Sequence, residues 1–149
     1  DLTNLFDKFS ELFSQQNGHA LANTRSRLRM VTLYHIASLN NGLVVGTGNK
    51  VEDFGIGFYT KYGDGGVDIS PIADLMKSEV RNLAKSMGVN QEIVDAAPTD
   101  GLWEDHRTDE EQVGASYKEL EWAMEYDGNI NSLSKREREV LEIYNKFHK

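Results

Sequence analysis

Residues 43–68 read LVVGTGNKVEDFGIGFYTKYGDGGVD. Leu43-Val44-Val45 is a short, fully apolar run that enters glycine at once, which predicts a buried parallel strand rather than a half-exposed one. Ligands of open α/β sheets collect at the carboxyl ends of such strands. There Thr47 offers a hydroxyl and an amide, although Thr47-Gly48-Asn49 also fits a plain strand-to-helix turn. Glu52 follows beside Asp53. A carboxylate near phosphates is unfavourable unless a cation bridges them, and Mg²⁺ does so with one or two carboxylates plus phosphate oxygens. The alternative is a solvated acidic face. Lys61, Asp64 and Asp68 frame the glycines of residues 62–68. Those glycines permit a tight turn rich in left-handed residues, and the acids suit ribose hydroxyls, an ammonium ion or a metal. An Asp-Gly hairpin turn is the competing reading. Glycines that free the backbone for close approach, together with this charge mixture, mark a nucleotide-handling site.

On either side the pattern is helical. Leu5, Phe6, Phe9, Leu12 and Phe13 share helical spacing within residues 4–15. A longer helix is predicted over 20–39, with Leu21, Leu28, Met30, Val31, Leu33, Tyr34 and Ile36 as its apolar set, ended by Asn40-Asn41-Gly42. One helical turn is expected around 50–57 and a second short strand at Val67-Asp68-Ile69. Pro71 introduces an amphipathic helix over 72–87, with Leu75, Val80, Leu83, Ala84 and Met87 inward and Gly88 as its stop. A short helix fits 91–97, and 98–112 reads as polar and irregular. Helices over 116–125 and 134–148 each open on capping-box spacing, Ser116 with Glu119 and Ser134 with Glu137. Many helices around few strands is the ratio expected of the back half of an α/β domain.

The 149 residues suffice for one domain. A net charge of −8 argues against a nucleic-acid surface, which needs a basic footprint. With no cysteine, disulfides and thiolate metal sites are excluded, and a reducing cytoplasm fits. No run is long enough to span a membrane, and Asp1-Leu2-Thr3 shows no signal-peptide pattern.

Elsewhere, Arg25 and Arg29 share a helix face and Arg27 points away from it. Either face suits an anionic ligand, a partner chain or plain solvent. Lys77 lies in the first turns of its helix, where a cation gains nothing from the helix dipole, so a phosphate partner is one explanation. The polar segment with Thr99, Trp103 and Glu110 fits either a lid over a site or a long connection whose Trp packs inward. His19, His35, His106 and His148 show no metal-ligand spacing.

Taken together, LANTRSRLRM, the 43–68 stretch continued through DISPIADLMKSEV, and APTDGLW with RTDEEQVGASYKELEWAM resemble NAD synthetase, an adenylate-forming amidotransferase of the ATP-pyrophosphatase superfamily. The resemblance runs over nearly the whole chain. It implies an α/β fold, namely the C-terminal part of a three-layer α/β/α, Rossmann-like adenine-nucleotide-binding domain, with residues 1–149 as a single portion. It implies ATP-dependent adenylation of the nicotinate carboxylate of deamido-NAD, then attack by ammonia to give NAD and AMP, in a cytoplasmic homodimer that needs Mg²⁺.

By position the resemblance assigns ATP contacts to Thr47, Lys77 and Thr99, deamido-NAD contacts to Arg27, Lys61 and Asp68, and the Mg²⁺ ligand to Glu52. Arg27 would serve the neighbouring subunit. Asp64 and Glu110 are weaker candidates for polar groups near the chemistry. Two departures stand out. The family's Ser-Gly-Gly-x-Asp-Ser pyrophosphate loop is absent, so the chain is expected to be a C-terminal fragment without turnover of its own. His148-Lys149 resembles the family's terminal His-Lys pair, but the helix around it places the true pair a few residues beyond. Ammonia is favoured over glutamine as nitrogen donor. The alternatives are another ATP pyrophosphatase, of GMP-synthetase-like or tRNA-modifying type, or a non-catalytic dimerisation module using the apolar face of 20–39.

Overall fold

The computed structural model describes residues 1–13, 15 and 17–148. Ser14, at the end of the expected first helix, and Lys149, of the terminal pair, lie outside the described residues. The helices are α1 Thr3–Glu11, α2 Gly18–Leu39, α3 Lys77–Ser86, α4 Gln91–Asp95, α5 Asp109–Val113, α6 Tyr117–Glu125 and α7 Lys135–Phe147, with a π-helical turn Val51–Ile56 and a 3₁₀ turn Ile130–Ser132. None of the described helices is long and apolar enough to cross a membrane. The chain divides into two compact units.

The first unit comprises Asp1–Gly48, Tyr59–Pro71 and Gly101–His106. Its backbone is α2, capped by Asn17, whose side chain accepts the Ala20 N–H at 2.8 Å. The helix ends as expected, with Asn41 left-handed at φ 50° and the Gly42 N–H returned to the Ala37 carbonyl. The buried stripe of α2 is Ala22, Ser26 and Met30. Of the apolar set of this helix, Met30 is buried, while Val31, Leu33 and Ile36 lie at the surface.

The expected strand pair is reduced to a single parallel bridge, Val45 to Ile69, flanked by bonds from Gly46 N–H to the Ile69 carbonyl and from Asp68 N–H to the Val44 carbonyl. The pairing is parallel, but the run is not buried: Val44 is 6% exposed while Leu43 is 65% and Val45 54%. Alternate residues of an extended chain face opposite ways, and here only one face is covered. A Cβ at Gly46 would lie 2.6 Å from Val67 Cγ2, so that glycine permits the crossing.

The second unit, Asn49–Phe58, Ile72–Asp100 and Arg107–Lys149, holds the hydrophobic core. Val51 and Ile56 of the π turn meet Leu120 and Ala123 of α6 and Val140 and Leu141 of α7 there. A Cβ at Gly55 would fall 2.8 Å from Met124 Sδ, which explains the glycine. Both expected capping boxes form: Ser116 and Ser134 accept N–H bonds from Glu119 and Glu137, whose carboxylates accept the cap N–H groups at 2.8 and 2.7 Å. Gly88 stops α3 at φ 73°.

Two expectations change. Residues 71–74 form turns, and α3 begins only at Lys77, because Met76 is extended at ψ 158°. Leu83 and Met87 of the expected inward face are 45% and 73% exposed. The segment 98–112 is not wholly irregular: Thr108 and Glu111 build a third such box, which opens α5.

Candidate functional site

The residues nominated from the sequence fall into two groups, one in each unit.

In the first unit, α2 supplies Arg27, and the segment 59–71 supplies Lys61, Asp64 and Asp68. Arg27 Nε donates to the Lys61 carbonyl at 3.0 Å, so these two basic residues are brought together. Arg25 and Arg29 take the other face, as their spacing predicts, and donate to the Leu102 and Gly101 carbonyls at 2.9 and 3.0 Å. Trp103, beside those carbonyls, lies 3.1 Å from where a Cβ on Gly18 would stand.

The Lys61 ammonium sits 5.2 Å from the Tyr62 ring centre and is exposed. Asp64 is a turn brace: its Oδ1 accepts from Ser26 Oγ at 2.6 Å and from the Thr60 N–H at 3.1 Å. Asp68 accepts the Val44 N–H at 2.7 Å and the Tyr34 hydroxyl at 3.2 Å, which ties it to the bridge and to α2. Thr47 is exposed at the end of the bridged run.

The glycines of 62–68 act otherwise than expected. The left-handed residue is Tyr62, φ 65°. Gly63 and Gly65 instead relieve contact, since a Cβ would overlap Ser26 Oγ in one case and the Tyr59 ring in the other.

In the second unit, Asn49 is 1% exposed and its Oδ1 accepts the N–H groups of Val51 and Glu52 at 3.0 and 3.2 Å. Glu52 Oε2 accepts the Asn49 N–H in return at 3.2 Å, so the π turn starts on a reciprocal cap that aims Glu52. Lys77, 25 residues on, donates to Glu52 Oε1 at 2.8 Å. This carboxylate answers the dipole problem of a lysine in the first turn of α3. Thr99 Oγ1 donates to the Arg107 carbonyl at 3.2 Å, and Glu110 Oε1 accepts the Tyr117 N–H at 2.9 Å.

Two residues of this group were not nominated, Tyr117 and Asp109. The Tyr117 hydroxyl lies 2.7 Å from Glu52 Oε1 and 3.2 Å from Asp109 Oδ2, and its ring centre lies 4.7 Å from the Lys77 ammonium. The hydroxyl is shared between the two carboxylates, with the shorter contact on Glu52.

Burial pushes the Glu52 carboxyl up, but the Lys77 hydrogen bond and charge, then Tyr117 and Asn49, outweigh it and hold the group below the usual range. For Asp109 burial prevails, helped by the charges of Asp100 and Glu52 against the Tyr117 bond and Lys77, and its pKa is raised. Asp109 is 7% exposed and its Oδ1 is buried without a hydrogen-bond partner. Burial, followed by the Glu52 charge, also raises the Tyr117 phenol.

The Glu52 carboxylate accepts three bonds, two on Oε1 and one on Oε2. One of its roughly four lone-pair sites is left for a cation. Among the described residues no three His, Asp or Glu gather as a metal cage. With one lone-pair site open, the Glu52 carboxylate could hold Mg²⁺ together with phosphate oxygens.

A family model described as NAD synthase matches residues 1–146. The chain is 41% identical over 121 residues to the NH(3)-dependent NAD(+) synthetase of Thermoplasma volcanium, covering 81% of this chain and 49% of that protein. It is 52% identical over 104 residues to the enzyme of that name from Alkaliphilus oremlandii, covering 70% and 41%. Among solved structures, NMN synthetase from Francisella tularensis superposes with a TM-score of 0.84 at 35% identity, over 99% of this chain and 58% of that one. The likeness bears out the expected α/β class, of which this chain is a helix-rich part. The chain spans about half the length of the curated relatives it matches. With residues 1–146 matched, it belongs to the NAD synthase family.

Proposed function

We propose that this chain is the C-terminal portion of an ATP-dependent ligase that amidates deamido-NAD with ammonia to make NAD. The observation that carries the reading is the meeting of Glu52 and Lys77, 25 residues apart, at 2.8 Å in a chain of this family. In the first stage an oxygen of the nicotinate carboxylate attacks the α-phosphorus of ATP, and pyrophosphate leaves. In the second, ammonia attacks the acyl carbon, AMP leaves and a proton is released. A carboxylate oxygen, a poor leaving group, thereby departs as AMP.

Lys77 and Glu52 supply a paired positive and negative charge held by hydrogen bonds. Lys77 is read as a phosphate contact, and Glu52 would hold Mg²⁺. When bound, Mg²⁺ neutralises charge on the phosphate oxygens. Thr47 and Thr99 are read as further ATP contacts, and Arg27, Lys61 and Asp68 as contacts to deamido-NAD. Arg27 acts on the neighbouring subunit's substrate in a cytoplasmic homodimer. Asp64 and Glu110 already hold a turn and the start of α6, so they support the site from within the fold.

The likeness to an NMN synthetase over 99% of this chain favours a second reading, the same transfer on nicotinate mononucleotide. The test is NAD or NMN formation by the full-length polypeptide with ATP, ammonium and either acid. Lys77→Met is expected to lower kcat/KM about 100-fold, the scale of losing one aligned charge donor, and residues 1–149 alone are expected to show no turnover. Equal activity of Lys77→Met and the parent, or turnover by the chain alone, would refute the reading. The preferred acid decides between the two nucleotides.

A further inference from the structure

We propose that Tyr117 is a positioning residue that braces both members of the Glu52–Lys77 pair, with Asp109 behind it. The inference rests on the reading of Glu52 and Lys77 given above and adds two residues to it.

Tyr117 is the first residue of α6 and is 4% exposed. Its backbone has little freedom. The preceding Ser116 is fixed by reciprocal bonds with Glu119, and the Tyr117 N–H is bound by Glu110. The ring therefore projects from a set point. One ring reaches both charges: its face lies 4.7 Å from the Lys77 ammonium, and its hydroxyl lies 2.7 Å from Glu52 Oε1. An ammonium over an aromatic face is attracted by the ring quadrupole. A hydroxyl on a carboxylate limits which lone pairs remain for a cation. Asp109 Oδ2 lies 3.2 Å from the same hydroxyl and meets it from a buried position. Its Oδ1 is satisfied by nothing in the described structure, a rare condition for a buried carboxyl. An aspartate kept at that cost is accounted for if it orients the phenol.

The consequence is specific. Outer partners that orient a metal-binding carboxylate are typically worth 10- to 100-fold in metal affinity or activity. Tyr117→Phe keeps the ring, and with it the contact to Lys77 and the core, and removes only the hydroxyl. In the full-length polypeptide with ATP bound, we expect Mn²⁺, followed by electron paramagnetic resonance, to bind about 10-fold more weakly in Tyr117→Phe. The Mg²⁺ activation constant should rise in parallel while KM for deamido-NAD stays within about 2-fold. Asp109→Ala, which leaves the tyrosine in place, should weaken Mn²⁺ about 3-fold, and it carries the test should Tyr117→Phe fail to fold.

The Glu52→Gln background separates the possible failures. If Tyr117 acts through Glu52, its substitution has no further effect on Mn²⁺ there. A loss that persists in that background overturns the inference. So does unchanged Mn²⁺ binding in Tyr117→Phe when Glu52→Gln is itself impaired. Unchanged Mn²⁺ binding in Glu52→Gln would instead overturn the reading of Glu52 on which the inference rests, and the inference with it.

Discussion

Removal of the Arg136 side-chain charge should destabilise the second unit in a way that depends on pH, and the size follows from one carboxylate. Glu119 closes the cap of α6. Its Oε2 accepts from the Ser116 N–H at 2.8 Å and Oγ at 2.9 Å, while the Arg136 guanidinium donates to both its oxygens, at 2.7 and 2.9 Å. The same guanidinium donates to the Gly114 carbonyl at 3.1 Å, so one side chain of α7 joins the end of α5 to the start of α6. The Arg136 bond, opposed by burial and aided by Ser116, pulls the Glu119 pKa from 4.5 down to about 2.

That difference corresponds to a ceiling of about 3 kcal/mol. The side chains are 32% and 49% exposed, and solvent screening reduces the worth of such a pair to about 0.5–1 kcal/mol. Because the folded pKa lies below the unfolded one, this stability is fully present above pH 4.5 and is lost as pH falls toward 2. Arg136→Gln should therefore lower the free energy of urea unfolding by about 0.5–1 kcal/mol at pH 7, with an unchanged slope. At about pH 3 the deficit should shrink to less than half. Fluorescence of Trp122, which lies on α6 with its ring centre 5.0 Å from that of Tyr126, reports the transition. A deficit equal at both pH values, or below about 0.5 kcal/mol at pH 7, would refute the reasoning.

Two further perturbations test the local readings. Gly63→Ala places a methyl group on buried Ser26 and 2.9 Å from Thr60 Cγ2, so a loss of about 1–3 kcal/mol in thermal or urea unfolding is expected; a neutral effect would show that the glycine serves something other than packing. Thr108→Ala removes the hydroxyl that accepts the Glu111 N–H at 3.2 Å and should cost about 1 kcal/mol, with faster amide exchange confined to α5; unchanged exchange there would deny the cap its role.

Much of the helical fold was legible because the signals are local. Ser116 and Ser134 each stand three residues before a glutamate, and both boxes form. Gly88 and Asn41 stop their helices by adopting the left-handed conformation. Thr108 and Glu111 carried the same legible spacing, and α5 could have been found from it. The strand was misread for a physical reason. Leu43, Val44 and Val45 are all apolar, so nothing in the run says which faces are covered, and only Val44 is. The start of α3 slipped from residue 72 to Lys77 because periodicity marks a face and not the point where the chain turns into it.

The site divides along the same line. Glu52 and Lys77 could be nominated singly, but their pairing could not, since 25 residues separate them. The lysine's unfavourable place at the first turn of α3 was the available clue, and it called for an anion without saying which one. Tyr117 is 65 residues from Glu52 and sits directly after a helix cap, where an aromatic residue raises no question by itself. The glycines of 62–68 show the converse. A glycine that makes room for a ligand and one that makes room for a neighbouring side chain have the same letter, and at Gly63 and Gly65 the neighbours are Ser26 and Tyr59. That segment is thus shaped by packing against its own unit. A substrate role for Lys61 and Asp68 must be argued from their charges, because Gly63 and Gly65 between them are accounted for without one.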